Sequence, residues 1–263
     1  MKRAIIGHSG FVGSTLQKQQ IFDNRYRSAN IGDIVGQRFD LVVCAAAPGK
    51  KWIANRAPEA DRQNIERLIG RLKTVKSRIF VLISTVDVFR QPLGVNESMP
   101  VDEDGVSPYG LNRRMLESFV ENHFPDHLIV RLPGLVGPGL RKNVIFDFLN
   151  NNNLHAIDSR GIFQFYPMVN LWYDIQIALQ AGLKLVHLTA EPISVSEVSE
   201  AGFGKPFSHV LGNTPVAYDF QSDHAALFGG QGRYQYSRRE TIQAIRTYAQ
   251  SEPVTLKAGS GTA

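Results

Sequence analysis

The stretch Arg3-Ala4-Ile5-Ile6-Gly7-His8-Ser9-Gly10-Phe11-Val12-Gly13 decides the fold. Ala4, Ile5 and Ile6 make a short apolar run that stops at a glycine, which is the pattern of a buried strand. A helix over 14–20 follows at once. A turn this tight needs backbone conformations that glycine reaches without steric cost. Missing side chains also let a pyrophosphate approach the backbone, and the helix start offers free N–H groups and the positive end of its dipole. The spacing is Gly-x2-Gly-x2-Gly, which differs from the usual Gly-x-Gly-x2-Gly dinucleotide pattern. Its place at the first strand–helix turn marks a nucleotide phosphate site.

Outward from this turn, strands and helices alternate. A weak, polar second strand is predicted over 25–29 and a strong one over 40–46, continuous in apolar residues as a parallel sheet requires. A helix over 59–73 carries Ile65, Leu68, Ile69 and Leu72 on one face. A strand over 78–83, a helix over 109–123 with Met115, Leu116 and Phe119 on one side, and a strand over 128–131 complete the series. Such alternation predicts an α/β fold, a doubly wound parallel sheet with right-handed crossovers, Rossmann-like in type. Further on, the pattern predicts a helix over 171–180, a strand over 184–188, a capping box at Ser194-x-x-Glu197 and a last helix over 239–250. The expected organisation is a dinucleotide-binding domain over 1–140, to which 165–190 return, and a small C-terminal substrate lobe from 141–164 and 191–263. The tail 256–263 is small and polar and is expected to be mobile.

The chain has 263 residues, and 43% of them are hydrophobic, so a sizeable core is available and disorder of the whole chain is excluded. A net charge of +5 is a mild basic excess. It suits anionic small ligands and is too diffuse to indicate nucleic acid. The single cysteine, Cys44, lies in an apolar run and reads as a buried, inert thiol, so neither a disulfide nor a cysteine-rich zinc site is expected. The histidines show no metal-ligand spacing, and no metal is expected. Met1-Lys2-Arg3 precedes too short an apolar stretch for a signal peptide, and no run is long enough to span a membrane. A soluble, cytoplasmic protein is expected. Lys50, Lys51 and Trp52 follow the strand over 40–46 and read most simply as a loop.

Two further motifs carry chemistry. Tyr109 and Arg113 stand four residues apart at the start of a predicted helix and so share a face. A phenol above a fixed cation is stabilised as phenolate. Ser84 and Thr85 follow the strand over 78–83, at the sheet edge where doubly wound folds bind ligands, and a hydroxyl there can hydrogen-bond a substrate oxygen.

Taken together, these segments resemble the extended short-chain dehydrogenase/reductases, the group of nucleotide-sugar epimerases, dehydratases and reductases. Gly7 to Gly13 stands where that group has its Gly-x2-Gly-x2-Gly loop. Cys44-Ala45-Ala46-Ala47 looks like its strand ending in small residues beside the cofactor. Ser84-Thr85-Val86-Asp87-Val88-Phe89 is similar to its Ser/Thr-Thr/Ser-x-x-Val-Tyr/Phe segment. Tyr109-x3-Arg113-x3-Glu117 is similar to its Tyr-x3-Lys-x3-Glu helix, and Arg131 to Gly139 to its Arg…Gly-Pro-Gly run. The resemblance covers about residues 1–200. It implies that Tyr109 is the acid/base at a carbonyl or alcohol, that Thr85 bonds the same oxygen, and that Ser84 stands beside it. Arg113 would occupy the place of the lysine that holds the nicotinamide ribose and depresses the tyrosine pKa. Gly7, Ser9, Gly10, Phe11 and Val12 would surround the pyrophosphate; Ala45, Ala46 and Ala47 would line the ribose and nicotinamide path; Pro133 would lie near the nicotinamide.

Departures from the family pattern narrow the reading. Arginine is larger, planar and effectively never deprotonated, so a proton relay through Arg113 is implausible. The 4,6-dehydratases of the group carry Asp-Glu directly after the threonine, where this chain has Val86 and Asp87, so reduction or epimerisation at a sugar carbon of a nucleotide-activated sugar remains. The stretch Asn24 to Asn30 lacks the acid that pairs with an adenosine ribose in NAD-binding members. Arg27 and Ser28 suit a 2′-phosphate instead, so NADP is the expected cofactor and NAD the alternative. Asp33 is a candidate to meet the adenine. The rival readings are a non-catalytic dinucleotide-binding relative and the same chemistry on a non-sugar carbonyl. A homodimer is compatible with this family.

Overall fold

The computed structural model describes residues 1–255; the expected mobile tail 256–263 lies outside the described residues. The chain forms two compact units. The first comprises Met1–Pro92, Asn96–Leu132 and Asn170–Leu188, and the second comprises Leu93–Val95, Pro133–Val169 and the residues from Thr189 onward.

In the first unit, β1 (Arg3–Ile6), α1 (Phe11–Gln19), β2 (Asn24–Tyr26), β3 (Arg38–Cys44), α2 (Lys51–Arg56), α3 (Pro58–Leu72), β4 (Lys76–Thr85) and α4 (Pro108–His123) follow in order. The strands His127–Leu132 and Leu185–His187 complete a six-stranded sheet, with helix Leu171–Gln180 between them in the chain. From one edge the order is Leu185–His187, His127–Leu132, β4, β3, β1, β2, and every pairing is parallel. The expected doubly wound sheet is therefore present. Strands β2 and β3 flank β1 on opposite sides, so the winding reverses between β1 and β3. Open α/β sheets bind ligands at such a reversal, beyond the carboxyl ends of the strands.

Alternation puts Ala4 and Ile6 of β1, Val42 and Cys44 of β3, and Phe80 and Leu82 of β4 into one core with Ile65, Leu68 and Leu72 of α3 and Leu116 and Val120 of α4. Phe80 stacks on Phe124 with ring centroids 4.1 Å apart. Each fully buried aliphatic or aromatic side chain of this kind contributes roughly 1.5–3 kcal/mol. This core holds α3 and α4 against the sheet, and these helices carry the polar groups described below.

Local details differ from the sequence expectation for physical reasons. α1 begins at Phe11 rather than at residue 14, because Gly13 is built into its first turns. β4 extends to Lys76, where polar residues are held by pairing with β3. Lys50, Lys51 and Trp52 are not a plain loop: residues Lys51–Arg56 form α2, and Trp52 on it is exposed.

The second unit is built from short paired strands: Gly134–Val136 with Phe165–Pro167, Ile162–Phe163 with Ile193–Ser194, and Leu93–Val95 with Asp219–Phe220. Helix Val144–Asn150 is capped by the Asn143 side chain, which accepts from the Ile145 and Phe146 N–H groups. The predicted capping box at Ser194 and Glu197 is formed, and a second joins Ser237 and Glu240 at the head of helix Arg238–Ser251. Buried Gln164 ties this unit together, donating to Thr189 Oγ1 and to the Ala190 and Phe220 carbonyls. No helix among the described residues is long and apolar enough to cross a membrane.

Candidate active site

The three glycines of the first turn do different things. Gly7 has φ +83°, and a Cβ on it would sit 2.4 Å from the Ala45 carbonyl oxygen. A Cβ on Gly13 would sit 2.2 Å from the Gly7 carbonyl oxygen. Both positions are closed to side chains by the protein's own backbone. Gly10 is different: its φ of −76° and ψ of 169° suit any residue, and the nearest atom to its virtual Cβ is 3.5 Å away. Packing does not require a glycine there, whereas a ligand lying on the loop would.

Gly10 caps α1, and no acid stands in the first turn of that helix. Ser9 is exposed, and Phe11 and Val12 are half-buried at the helix start. The β2 end makes a turn in which the Asn30 N–H donates to the Arg27 carbonyl (3.0 Å) and the Arg27 N–H donates to Asn30 Oδ1 (2.8 Å). This leaves Arg27 and Ser28 exposed beyond β2, the neighbour of β1. Across the reversal, the Ala45 N–H donates to the Ile6 carbonyl at 2.8 Å, and Ala45, Ala46 and Ala47 lie half-buried after β3. Asp33 lies in the turn Ile31–Ile34, close enough to Tyr26 to add to the upward shift that burial gives its phenol. Pro133 opens the Pro133–Val169 segment of the second unit.

Thr85 ends β4 and caps the turn Val86–Val88, accepting from the Asp87 N–H at 3.2 Å. Tyr109 is the second residue of α4, whose start is set by the Ser107 cap and by Pro108. A Cβ on Gly110 would sit 2.0 Å from the Asp87 carbonyl oxygen, so this glycine lets α4 abut the turn after β4. The Tyr109 N–H donates to Asn55 Oδ1 of α2 at 2.9 Å. These constraints bring the Tyr109 side chain close enough to Thr85 and Arg113 for both to draw its phenol toward ionisation.

Arg113 spends its hydrogen bonds on the protein itself. Its Nη1 donates to Asp61 Oδ2 at 2.6 Å, and its Nη2 donates to Asp61 Oδ1 at 3.1 Å and to the Pro48 carbonyl. Asn112 Nδ2 donates to the same carboxylate at 2.8 Å. Arg113 and Asp61 are both buried, and the guanidinium carbon lies 4.2 Å from the centre of the Tyr109 ring. Among the described residues, Arg113 Nε has no partner.

The expected lowering of the Tyr109 pKa is not the outcome either. Burial is the largest influence and pushes the phenol above its ordinary value; the Asp87 carboxylate adds to that, and the attraction of Arg113 with the hydrogen bonds from Arg113 and Thr85 only partly offsets it. The Tyr109 phenol thus holds its proton more tightly than a free one.

Ser84 also departs from expectation. Its hydroxyl donates to Glu117 Oε1 instead of standing beside Thr85 at the phenol. Glu117 is fully buried in an ion pair with Arg131 (Nη2 to Oε2, 2.7 Å) and also accepts from Arg114. Ser84 therefore belongs to the buried network that joins α4 to the strand His127–Leu132. Sequence reading gave Asp87 no role, yet its carboxylate lies 3.3 Å from the Thr85 hydroxyl and 2.7 Å from Lys51 Nζ. The signal was its place two residues after Thr85 in the same tight turn. Cys44 is buried and its thiol is pushed up to about 11, which fits an inert residue. No group of three metal-binding side chains occurs among the described residues.

Solved structures match this architecture along nearly the whole chain. A dTDP-4-dehydrorhamnose reductase from Bacillus anthracis str. Ames in complex with NADP superposes with TM-score 0.71 at 19% identity, covering 93% of this chain and 99% of the reductase. A UDP-galactose 4-epimerase gives TM-score 0.70 at 16% identity, over 95% of this chain and 98% of the epimerase. The Bordetella bronchiseptica enzyme WbmG in complex with NAD gives TM-score 0.74 at 17% identity, over 97% and 96%. This chain has their fold. No family model matches the sequence, and no curated protein matches it. The fold implied by the sequence resemblance is thus confirmed by the architecture, and the chemistry rests on the site itself.

Proposed function

We propose that the protein is an NADP-dependent oxidoreductase that reduces, or through a keto intermediate epimerises, a sugar carbon of a nucleotide-activated sugar. The observation that carries this reading is Tyr109 at the start of α4, set against the turn that follows Thr85 at the end of β4, on the same sheet edge as the Gly10 opening. The residues present suit a dinucleotide: the start of α1 and the open face of Gly10 for the pyrophosphate, Ala45 to Ala47 along its path, and Arg27 with Ser28 for a 2′-phosphate. NADP and not NAD is the cofactor that this basic turn favours. When bound, the cofactor supplies or accepts the hydride. Solved structures of this fold with NADP and with NAD support both the site and the cofactor class.

In the reducing direction, the substrate carbonyl oxygen accepts the Tyr109 proton as the carbonyl carbon takes the hydride. Thr85 donates to the same oxygen and orients it. The raised pKa of Tyr109 keeps its proton available at neutral pH. A carbonyl that has gained a proton and a hydride leaves as an alcohol, so atoms and electrons balance.

Incubating the protein with NADPH and a panel of keto and hydroxy nucleotide sugars, with NADPH absorbance and product mass as readouts, tests this reading. Turnover of one of them supports it. Tight NADPH binding without turnover of any would favour a second reading, a dinucleotide-binding protein without catalysis. The observation behind that reading is the engagement of Arg113 by Asp61, where the family pattern has a lysine.

A further inference from the structure

Arg113 cannot carry the proton that Tyr109 gains and loses. A guanidinium stays protonated in proteins, and both Nη groups are engaged by Asp61 and the Pro48 carbonyl. A Tyr109 that turns over must exchange its proton by another way. Such a way is built into the first unit. The start of α4, which carries Tyr109, abuts the turn that holds Asp87, and Thr85 is among the groups that draw the phenol toward ionisation; Thr85 Oγ1 lies 3.3 Å from Asp87 Oδ2, and Asp87 Oδ1 lies 2.7 Å from Lys51 Nζ. Exposure rises along this line, from 7% at Tyr109 to 18% for the Asp87 side chain and 44% for that of Lys51.

We propose that Thr85, Asp87 and Lys51 form the route by which Tyr109 exchanges its proton with solvent. The inference rests on the role of Tyr109 under the proposed function. In the oxidising direction the phenol passes its proton to Thr85 Oγ1 as the Thr85 proton moves to the Asp87 carboxylate, and Asp87 releases one proton to water beside Lys51. In the reducing direction the same bonds form and break in reverse: Thr85 rotates its hydroxyl toward the phenolate, and one proton enters from water. No electrons move along this path. Lys51 holds Asp87 in place through their ion pair. The charged groups facing the phenol are Arg113 from α4, itself bound to Asp61 of α3, and Asp87 from the turn after β4, itself bound to Lys51 of α2.

Asp87→Asn keeps the side-chain shape and removes the proton acceptor. With NADPH and dTDP-4-dehydrorhamnose as probe, kcat should fall by about 100-fold, the lower range of general acid–base contributions, while KM for NADPH stays unchanged. Added imidazole should restore kcat in proportion to its concentration, because a small buffer replaces a proton route and cannot repair a structural defect. Unchanged kcat, or a loss that imidazole does not restore, would overturn the proposal. If Asp87→Asn does not fold, Lys51→Met on the exposed end carries the same test, with a smaller loss and the same rescue. If the parent turns over no nucleotide sugar, the proposed function fails, and a titration still decides the route. The ultraviolet phenolate signal of the parent minus that of Tyr109→Phe isolates Tyr109. Its midpoint should fall when Asp87 becomes Asn, because the carboxylate opposes the phenolate; an unmoved midpoint would mean that Asp87 does not face Tyr109 and would remove the route.

Discussion

The Arg113 guanidinium grips the Asp61 carboxylate with both Nη groups, at 2.6 and 3.1 Å, while lying 4.2 Å from the centre of the Tyr109 ring. The charge that the family resemblance places at a ribose is here the middle layer of a buried stack running from α3 through α4 to the phenol. An ion pair of this kind fixes geometry more than it adds stability, but removing one partner leaves an uncompensated buried charge.

This arrangement sets the outcome expected for Arg113→Lys. Were Arg113 at the lysine's place, the change would be tolerated or would raise activity. An ammonium cannot reproduce the two-pronged bond to Asp61 together with the bond to the Pro48 carbonyl. Arg113→Lys should lower stability by roughly 1–3 kcal/mol, read by chemical denaturation. Asp61→Ala should cost more, about 3–5 kcal/mol. An Arg113→Lys protein as stable as the parent would contradict the role assigned to the fork.

The glycine loop separates folding from binding. Gly7→Ala and Gly13→Ala each drive a Cβ into backbone carbonyl atoms, so both should yield little folded protein. Gly10→Val meets no such obstacle and has ordinary backbone angles. It should melt near the parent temperature and lose NADPH affinity by tenfold or more, the loss of about 1.4 kcal/mol or more. Unchanged titration of NADPH into a folded Gly10→Val protein would remove the phosphate-loop assignment.

Cofactor preference follows from the exposed turn after β2. A charge-assisted contact from Arg27 to a 2′-phosphate contributes roughly 1.5–3 kcal/mol. Calorimetry should show NADP binding about tenfold or more tighter than NAD, and Arg27→Ala should remove most of the difference. Equal affinities in the parent would contradict this.

Alkaline stability carries a sign that can be checked. The Cys44 thiol rises from 9.0 to about 11, and burial also raises Tyr26, Tyr109, Tyr234 and Tyr248. Each group binds its proton more tightly when folded, so its stabilisation is complete below the unfolded pKa and is lost as pH rises through the folded one. Unfolding free energy should be level near neutrality and fall from about pH 9 upward, where unfolded thiols and then phenols ionise first. In Cys44→Ala, the fall between about pH 9 and 11 should be shallower. A parent whose stability rises over that range would contradict the burial of these groups.

The sheet was legible in the sequence because most of its strands carry an unbroken apolar run, β2 being the polar exception, and its helices repeat at 3.6 residues. The first turn was legible because Gly7 and Gly13 are demanded by backbone contact as well as by chemistry. Tyr109 and Thr85 were legible as a pair, and the structure sets the start of α4 against the turn that follows Thr85. What the sequence hid is where side chains spend their bonds. Arg113 reads as a free cation until Asp61, fifty-two residues earlier in the chain, is seen to occupy it. Ser84 reads as a neighbour of Thr85 until buried Glu117 claims its hydroxyl. α2 was missed because its six residues are too few for a periodic signal, and with it the Lys51–Asp87 pair. The second unit was the hardest to read, since strands of two or three residues leave no alternation to detect.

The central claim is that Tyr109 is the proton donor, and Tyr109→Phe tests it most directly. The change removes the transferable proton and leaves the ring under Arg113. Measured with NADPH and the nucleotide sugar that the parent turns over, Tyr109→Phe should lose activity by about 100-fold or more while its NADPH affinity and melting temperature stay close to the parent's. A Tyr109→Phe protein that turns over at the parent rate would show that the chemistry lies elsewhere.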